Sequence, residues 1–330
     1  MNFGPADTYS VIRSCFPALS EENARREAAF VDRIGADILT PRTGSMPPRL
    51  YGLPGMPRAL FRLGRCQADG PHIVSMVGTR RATASGIEFC NRFVARLAEL
   101  CPDAIVVSGL AYGIDVAAHR AALSAGLDTV AVVAHGLDTL YPADHRDVAR
   151  RMIDSGRGAL ITEYLSGTPA HRGNFLARNR IVATLSAATV VVESGFSGGS
   201  LYTARLAREI GRPVFAVPGR WNDRQSAGTN RLIADGHARL ITDADQFMEA
   251  MRWEPASKSA GPQPPSLDFT DLHGNALLIA RHLREHPDHS MHDLVAALGL
   301  NVAEISARIT EMEMDDLLTV LPGDRFQLNF

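Results

Sequence analysis

Ser108 to His119, SGLAYGIDVAAH, combines residue types that could hold an anion or move a proton. Its two glycines stand between the β-branched run Ile105, Val106, Val107 and a stretch where Ile114, Ala117, Ala118, Ala121 and Ala122 recur at helical steps. A strand, a glycine-bearing turn and a helix start therefore follow one another. Free backbone N–H groups and the positive end of a helix dipole converge in such a turn, which is a ready anion site. Asp115 and His119, four residues apart on one helix face, have the spacing of a proton-transfer pair, and equally of a structural hydrogen bond. The turn alone is not diagnostic. It has neither G-x-G-x-x-G spacing nor the G-K-[ST] of a P-loop, and Gly109 and Gly113 could serve only a tight turn.

The same arrangement recurs along the chain. Gly78-Thr79-Arg80-Arg81 ends one apolar run, and Gly136 and Asp138 lie after another. A further loop carries Phe175, Arg178, Asn179 and Arg180, and the run Glu193-Ser194-Gly195-Phe196-Ser197-Gly198-Gly199-Ser200 opens a helix. Pro218-Gly219-Arg220-Trp221 follows the last of the long apolar runs. Several helix N-termini together with Arg80, Arg178, Arg180 and Arg220 would form an anion site wider than one phosphate. Tyr112, Tyr141, Phe175 and Phe196 could supply faces for bases, and this interleaving suits a single-stranded nucleic acid better than a lone dinucleotide. Each residue also has a plainer use: the aromatics as packing, the arginines as partners of Asp115, Asp138, Glu163 and Glu193. The carboxylates and His119 are the candidates for acid–base work, but Ser197 and Ser200 are in no G-x-S-x-G elbow. No metal-ligand spacing and no cofactor motif stand out.

The elements that must position these loops are legible from periodicity. Strands are predicted at 72–78, 104–109, 129–134, 158–164, 188–194, 213–218 and 238–242. Helices are predicted between them at 83–100, 114–125, 144–155, 177–186 and 200–211, with a helical turn at 230–235 and a helix at 243–252. This alternation predicts an α/β fold, an extended Rossmann-like, doubly wound and mostly parallel sheet that gathers its ligands at the C-terminal strand edge. Residues 1–40 read as two or three short helices, with Asp7 and Ser20 as N-caps, and Pro41, Pro47, Pro48, Pro54 and Pro57 mark a structured connector that is not helical. The expected domains are 1–65, helical with the connector; 66–253, Rossmann-like; 254–270, a Pro/Ser/Gly linker; and 271–330. The last reads as three helices (273–286, 291–299, 302–315) and a hairpin turning at Pro322-Gly323-Asp324, the order of a winged helix. Its third helix carries Glu304, Glu311, Glu313, Asp315 and Asp316 against Arg308. A surface of that charge predicts contact with protein rather than with DNA.

Composition sets the limits. Across 330 residues, 34 basic and 36 acidic side chains leave a net charge of −2, which excludes a uniformly basic nucleic-acid coat but allows a local basic patch. Cys15, Cys66, Cys90 and Cys101 are scattered without C-x-x-C spacing, as reduced thiols of a cytosolic protein would be. No apolar run approaches the ~20 residues of a membrane span, and the polar N-terminus is unlike a secretory signal, so a soluble cytoplasmic protein is expected.

VGTRRATASG, SGLAYGIDVAAH, GLDTLYP, ARNRIVATLS, SGGSLYTARLA and PVFAVPG, in that order, closely resemble the bacterial DNA-processing protein A family, DprA or Smf. The likeness runs from about Arg49 to Asp243. It implies a non-enzymatic single-stranded DNA-binding protein without a cofactor. Such a protein would act as a homodimer that protects incoming DNA and loads the RecA recombinase during natural transformation. It also implies a short helical (SAM-like) domain in front and a winged-helix-like domain behind. Carried over by position, Arg80 would be a principal phosphate contact, Ser108, Gly109 and Gly113 would line the groove, and Asn179, Arg180 and Ser197–Ser200 would complete it. There are departures: Leu176 stands where the family has proline before R-N-R, Thr184 where glycine is common, and Ala143 where lysine often follows Tyr-Pro. The rival is a nucleotide phosphoribohydrolase of the lysine-decarboxylase-like group, marked by P-G-G-x-G-T-x-x-E. The nearest segment here, SGFSGGSLYTARLA, lacks the matching glutamate.

Overall fold

In the computed structural model, residues 5–51, 55–255, 274–286, 289–314, 317–321 and 325–328 are described. The chain divides into two compact units, residues 1–256 and 257–330. The first opens with α1 (Pro5–Cys15) and α2 (Glu21–Ile34). Ser20 caps α2 by accepting from the Asn23 N–H. Asp7, expected as a cap, lies inside the first turn of α1. Then follow β1 (Asp37–Leu39), β2 (Leu60–Gly64), β3 (Ile73–Val77), α3 (Ala84–Leu100), β4 (Ile105–Ser108), α4 (Ile114–Ala125) and β5 (Asp128–Val132). The unit continues through α5 (Arg146–Asp154), β6 (Gly158–Thr162), α6 (Arg172–Leu185), β7 (Ala188–Val191) and α7 (Gly199–Glu209). It ends with β8 (Val214–Ala216), α8 (Ala227–Ala234), β9 (Arg239–Leu240) and α9 (Ala244–Met251).

All nine strands form one sheet in the order β1-β2-β6-β5-β4-β3-β7-β8-β9. From β6 to β9 every pairing is parallel, whereas β1 pairs with β2 and β2 with β6 antiparallel. The sheet order reverses between β3 and β7, and β3 begins one run and β7 the other. This is the topological switch point, where open α/β sheets bind their ligands.

Alternation along the strands explains the layers. Val74, Met76, Val106, Val190 and Phe215 face the helices α3, α4 and α9, while Ile73, Val107, Val130, Val132 and Val191 face α6, α7 and the connector residues Met46 and Leu50. The same parity continues into the antiparallel edge: Leu39 and Leu60 join the second face, and Ile38 and Phe61 receive α1 and α2. Two strands that the sequence reading did not assign thus join the sheet: β1, at the end of the stretch expected to be helical, and β2, at the end of the connector. A Cβ on Gly64 would stand 2.3 Å from the Gly158 carbonyl oxygen, so only glycine lets β2 approach β6 there.

All four cysteines are free and buried, and burial pushes the Cys66 and Cys90 thiols up to about 12. Among the described residues no helix is long and apolar enough to cross a membrane.

His119 shows how the interior constrains titration. The Thr129 hydroxyl proton is committed to the Val106 carbonyl at 2.8 Å, so His119 Nδ1 donates in its 2.7 Å bond to Thr129. Nε2 is left as a buried acceptor without a partner among the described residues. Burial, reinforced by Arg178 and His145, pulls the ring down to about 3. An unfolded chain protonates the same ring near ~6.5, so below that pH the unfolded state binds the extra proton. Stability from this site is therefore complete above pH ~6.5 and falls toward pH ~3, at up to ~1.4 kcal/mol per unit. Denaturation midpoints measured against pH should show a shallower acid limb in His119→Gln than in the native chain. Identical limbs would contradict this assignment.

The second unit contains α10 (Asn275–Glu285), α11 (Met291–Leu298), α12 (Val302–Met314), β10 (Leu318–Leu321) and β11 (Arg325–Leu328). The two strands pair antiparallel, and Ile279, Leu283, Leu294, Ile305, Ile309, Met312, Leu318 and Phe326 form the core. Ser290 and Asp293 make a reciprocal capping box on α11. The expected turn at 322–324, and Asp315 and Asp316 of the acidic helix, lie outside the described residues.

Candidate nucleic-acid interface

A groove of about 550 Å³ opens at the switch point, between the loops that follow β3 and β7 and the first turns of α6. It gathers Gly78, Thr79, Arg80, Phe175, Arg178, Asn179, Ser197, Gly198, Gly199 and Ser200, all anticipated from sequence. Thr79 is pinned on both sides: its N–H donates to the Glu193 carbonyl at 2.8 Å and its carbonyl accepts from Ile114 N–H at 3.2 Å. Arg80 is thereby held at the mouth, exposed, with its guanidinium over the Phe175 ring at 4.9 Å. Phe175 in turn tilts against Tyr141, with centroids 5.6 Å apart. No carboxylate pairs with Arg80 among the described residues.

The opposite wall is the start of α7. Its first amides have no intrahelical acceptor, and Gly198 to Ser200 bring them to the groove. Ser200 donates to the Ser194 hydroxyl at 3.0 Å, and the Asn179 amide donates to the Gly199 carbonyl at 3.2 Å, which fixes this wall to α6.

Tyr112, Tyr141, Phe196 and Arg220 lie outside the lining, as do Ser108, Gly109, Gly113, Gly136, Asp138 and Arg180, these six each for a visible reason. The buried Ser108 hydroxyl donates to the Met76 carbonyl at 2.6 Å. Gly109 makes room: a Cβ there would meet the Arg178 guanidinium at 2.5 Å. Gly113 has φ +75°, and its Cβ would lie 2.2 Å from the Thr79 carbonyl oxygen, so it serves the packing of the Arg80 loop. Gly136 and Asp138 tie the loop after β5 to the loop after β6, through Thr168 at 3.0 Å and Gly167 at 2.9 Å. Arg180 is held by Glu163 in a bidentate pair at 2.6 Å and donates to the Gly55 carbonyl at 2.8 Å.

Arg178 lines the groove floor but is only 3% exposed. Its guanidinium donates to the Gly109 carbonyl at 2.8 Å and to the Val132 carbonyl, and Nε donates to Asn179. Burial lowers it to about 10, with Asp115 supporting the charge and Arg80 opposing it. The Asp115 carboxylate accepts from the Gly109 N–H at 3.1 Å and burial raises its pKa. Asp115 and His119 therefore do not form the pair their spacing allowed, since each faces a different partner.

Glu193 accepts from the Thr83 N–H at 2.9 Å and from the Thr83 hydroxyl, so it holds Thr83, the N-cap of α3, in place. All five candidate acid–base groups are thus engaged with structural partners. The helix after His171 begins at Arg172 rather than the predicted 177, because the His171 side chain accepts from Gly173 N–H as its cap. This earlier start brings in an exposed Arg172, a lining residue that sequence reasoning missed. The lining thus holds Arg80, Arg172 and Arg178 against Asp115 as its single carboxylate.

Among the described residues one group could offer three metal ligands, His72, Cys101 and Asp103, within 4.8 Å. It sits at the N-terminal end of β3, away from the groove, with both His72 and Cys101 bonded to Asp103.

Comparison with known proteins places this arrangement. The model of the family DNA recombination-mediator protein A matches residues 37–252, and that of the DprA winged helix domain matches residues 262–324. Protein Smf of Escherichia coli is 33% identical over 292 residues, covering 86% of this chain and 75% of that protein. The DNA processing protein DprA of Mycobacterium tuberculosis is 46% identical over 195 residues, and the match spans 58% of this chain and about half, 49%, of that protein. Among solved structures, DNA processing protein A of Helicobacter pylori, studied for its single-stranded DNA binding mode, superposes with a TM-score of 0.59 at 30% identity. That match covers 66% of this chain and 95% of the other. DprA of Streptococcus pneumoniae gives a TM-score of 0.60 at 30% identity, covering 76% and 87%.

Proposed function

Because this chain belongs to the DNA recombination-mediator protein A family, we propose that the groove at its switch point binds single-stranded DNA without catalysis. One observation carries the reading: Arg80, a cation that pairs with no carboxylate among the described residues, lies over the face of Phe175 beside the open amides of α7. A phosphate can dock on the arginine and the amides while the neighbouring base stacks on the aromatic edge of the same site. Arg172 adds a second exposed cation, and Gly78, Thr79, Asn179 and Ser197 to Ser200 shape the walls. Ser108, Gly109, Gly113, Arg178 and Arg180 act behind them as supports.

In this reading residues 66–253 form the binding unit, with residues 1–65 in front, a linker at 254–270, and the acidic winged helix reserved for protein contact. Dimerisation through the Rossmann-like unit, and delivery of the strand to a RecA-class recombinase during transformation, belong to the same proposal and rest on the family resemblance.

Photo-crosslinking the full chain to oligothymidylate and mapping the modified peptides tests the location. Adducts are expected in the segments around Arg80 and Phe175. Adducts confined to residues 274–328 would refute it.

A further inference from the structure

The chain has two tryptophans, and they are treated very differently. Trp253 packs edge-on against Phe247 with centroids 5.2 Å apart and lies against His72 at 4.8 Å. Trp221 is 91% exposed and makes no ring contact with any described residue. So large an apolar ring is normally drawn at least partly into the interior.

The loop that carries Trp221 is firmly tied. The Asn230 side-chain amide clamps Gly219, accepting from its N–H and donating to its carbonyl, both at 3.0 Å. The Asp223 N–H closes a turn on the Arg220 carbonyl at 3.0 Å, which leaves Trp221 at the tip. Asp223, the loop's carboxylate, is occupied by the Gln225 N–H at 2.9 Å.

This turn is also docked on the groove wall. Ser194 N–H donates to the Gln225 carbonyl at 2.6 Å, and the Ser194 carbonyl accepts from Gly228 N–H at 2.8 Å. Ser194 and Gly195 both line the groove. A Cβ on Gly228 would come within 2.2 Å of the Gly195 carbonyl oxygen, so glycine is required for this approach. The wall itself carries Phe196, 76% exposed. Arg220 and Arg224 are exposed and meet no carboxylate among the described residues.

We propose that Trp221 is a base-stacking platform that prolongs the groove beyond the loop after β7. It takes the next bases of the same DNA strand, with Phe196 as a second face and Arg220 and Arg224 for the phosphates. The inference rests on the single-stranded DNA reading above. Continuity with the groove and the positive charge on either side of an unpartnered ring select this occupant. A duplex keeps its base faces stacked on each other, so it has none to offer Trp221.

Intrinsic tryptophan fluorescence of the full chain tests this directly, using oligothymidylates of about 5 and about 15 nucleotides, the span of single-strand site sizes. Binding of labelled strands is followed in parallel by anisotropy. The longer strand should quench the native chain. Trp221→Phe should bind it within about threefold without quenching, since only Trp253 remains to report. Trp221→Ala should bind the longer strand about tenfold more weakly and the shorter one unchanged.

Binding seen by anisotropy without quenching, or equal affinity of Trp221→Ala for the longer strand, would overturn the proposal and leave the groove reading standing. A shift in the sedimentation of the free protein on Trp221→Ala would likewise overturn it, in favour of a second copy covering the ring. No anisotropy change with either strand would sink the groove reading itself.

Discussion

Arg80→Ala should weaken single-stranded DNA binding by about 10- to 100-fold, as expected for loss of one charge-assisted contact of about 1.5–3 kcal/mol. The salt dependence should fall with it, by about 0.7 in the slope of log affinity against log salt. Stability should barely move. Arg80 is exposed and its side chain bonds to no described residue, so the fold loses only its contact over Phe175, about 0.5–1 kcal/mol at most. Arg80→Lys keeps the charge but not the planar fork, and should fall between the two. Anisotropy titrations at several salt concentrations, with a thermal melt of each variant, measure both quantities. Unchanged affinity in Arg80→Ala would remove the keystone of the site.

Arg178→Met should do the opposite, costing stability first. The guanidinium is buried and holds the carbonyls of Gly109 and Val132, and its charge faces Asp115. Methionine fills much of the same volume but leaves two strand-end carbonyls without this donor and a buried carboxylate without its counter-charge. Removing one partner from such an arrangement costs about 3–5 kcal/mol. Denaturant unfolding should show the loss, and adding Asp115→Asn should restore part of it, because the orphaned charge then disappears. Intact stability combined with a large loss of DNA affinity would instead make Arg178 a direct contact.

These two arginines show where sequence reasoning reached and where it stopped. Spacing alone placed β3, α3, β4 and α4 closely, because their apolar faces are long and periodic. It also put the glycine and arginine loops at one sheet edge, since parallel strands joined by helices all end there. It could not separate an exposed Arg80 from a buried Arg178 or a paired Arg180. That difference depends on contacts with Gly109, Val132 and Glu163, which are distant in the chain.

The glycines of SGLAYGID were visible but ambiguous for the same reason: Gly109 and Gly113 turn out to accommodate Arg178 and the Thr79–Arg80 backbone. β1 and β2 escaped notice because they are three and five residues long and flank a proline-rich connector. The early start of α6 was hidden by Gly173 and Asn174, residues that read as loop, and with it went Arg172. A histidine cap is a weak signal in sequence.

The central claim is that the groove between the loops after β3 and β7 selects a single DNA strand. Titrating the full chain with labelled oligothymidylate and with a duplex of equal length, across a series of salt concentrations, tests it most directly. The predicted result is tighter binding of the single strand at every salt, with affinity falling steadily as salt rises. Equal or tighter binding of the duplex would contradict it.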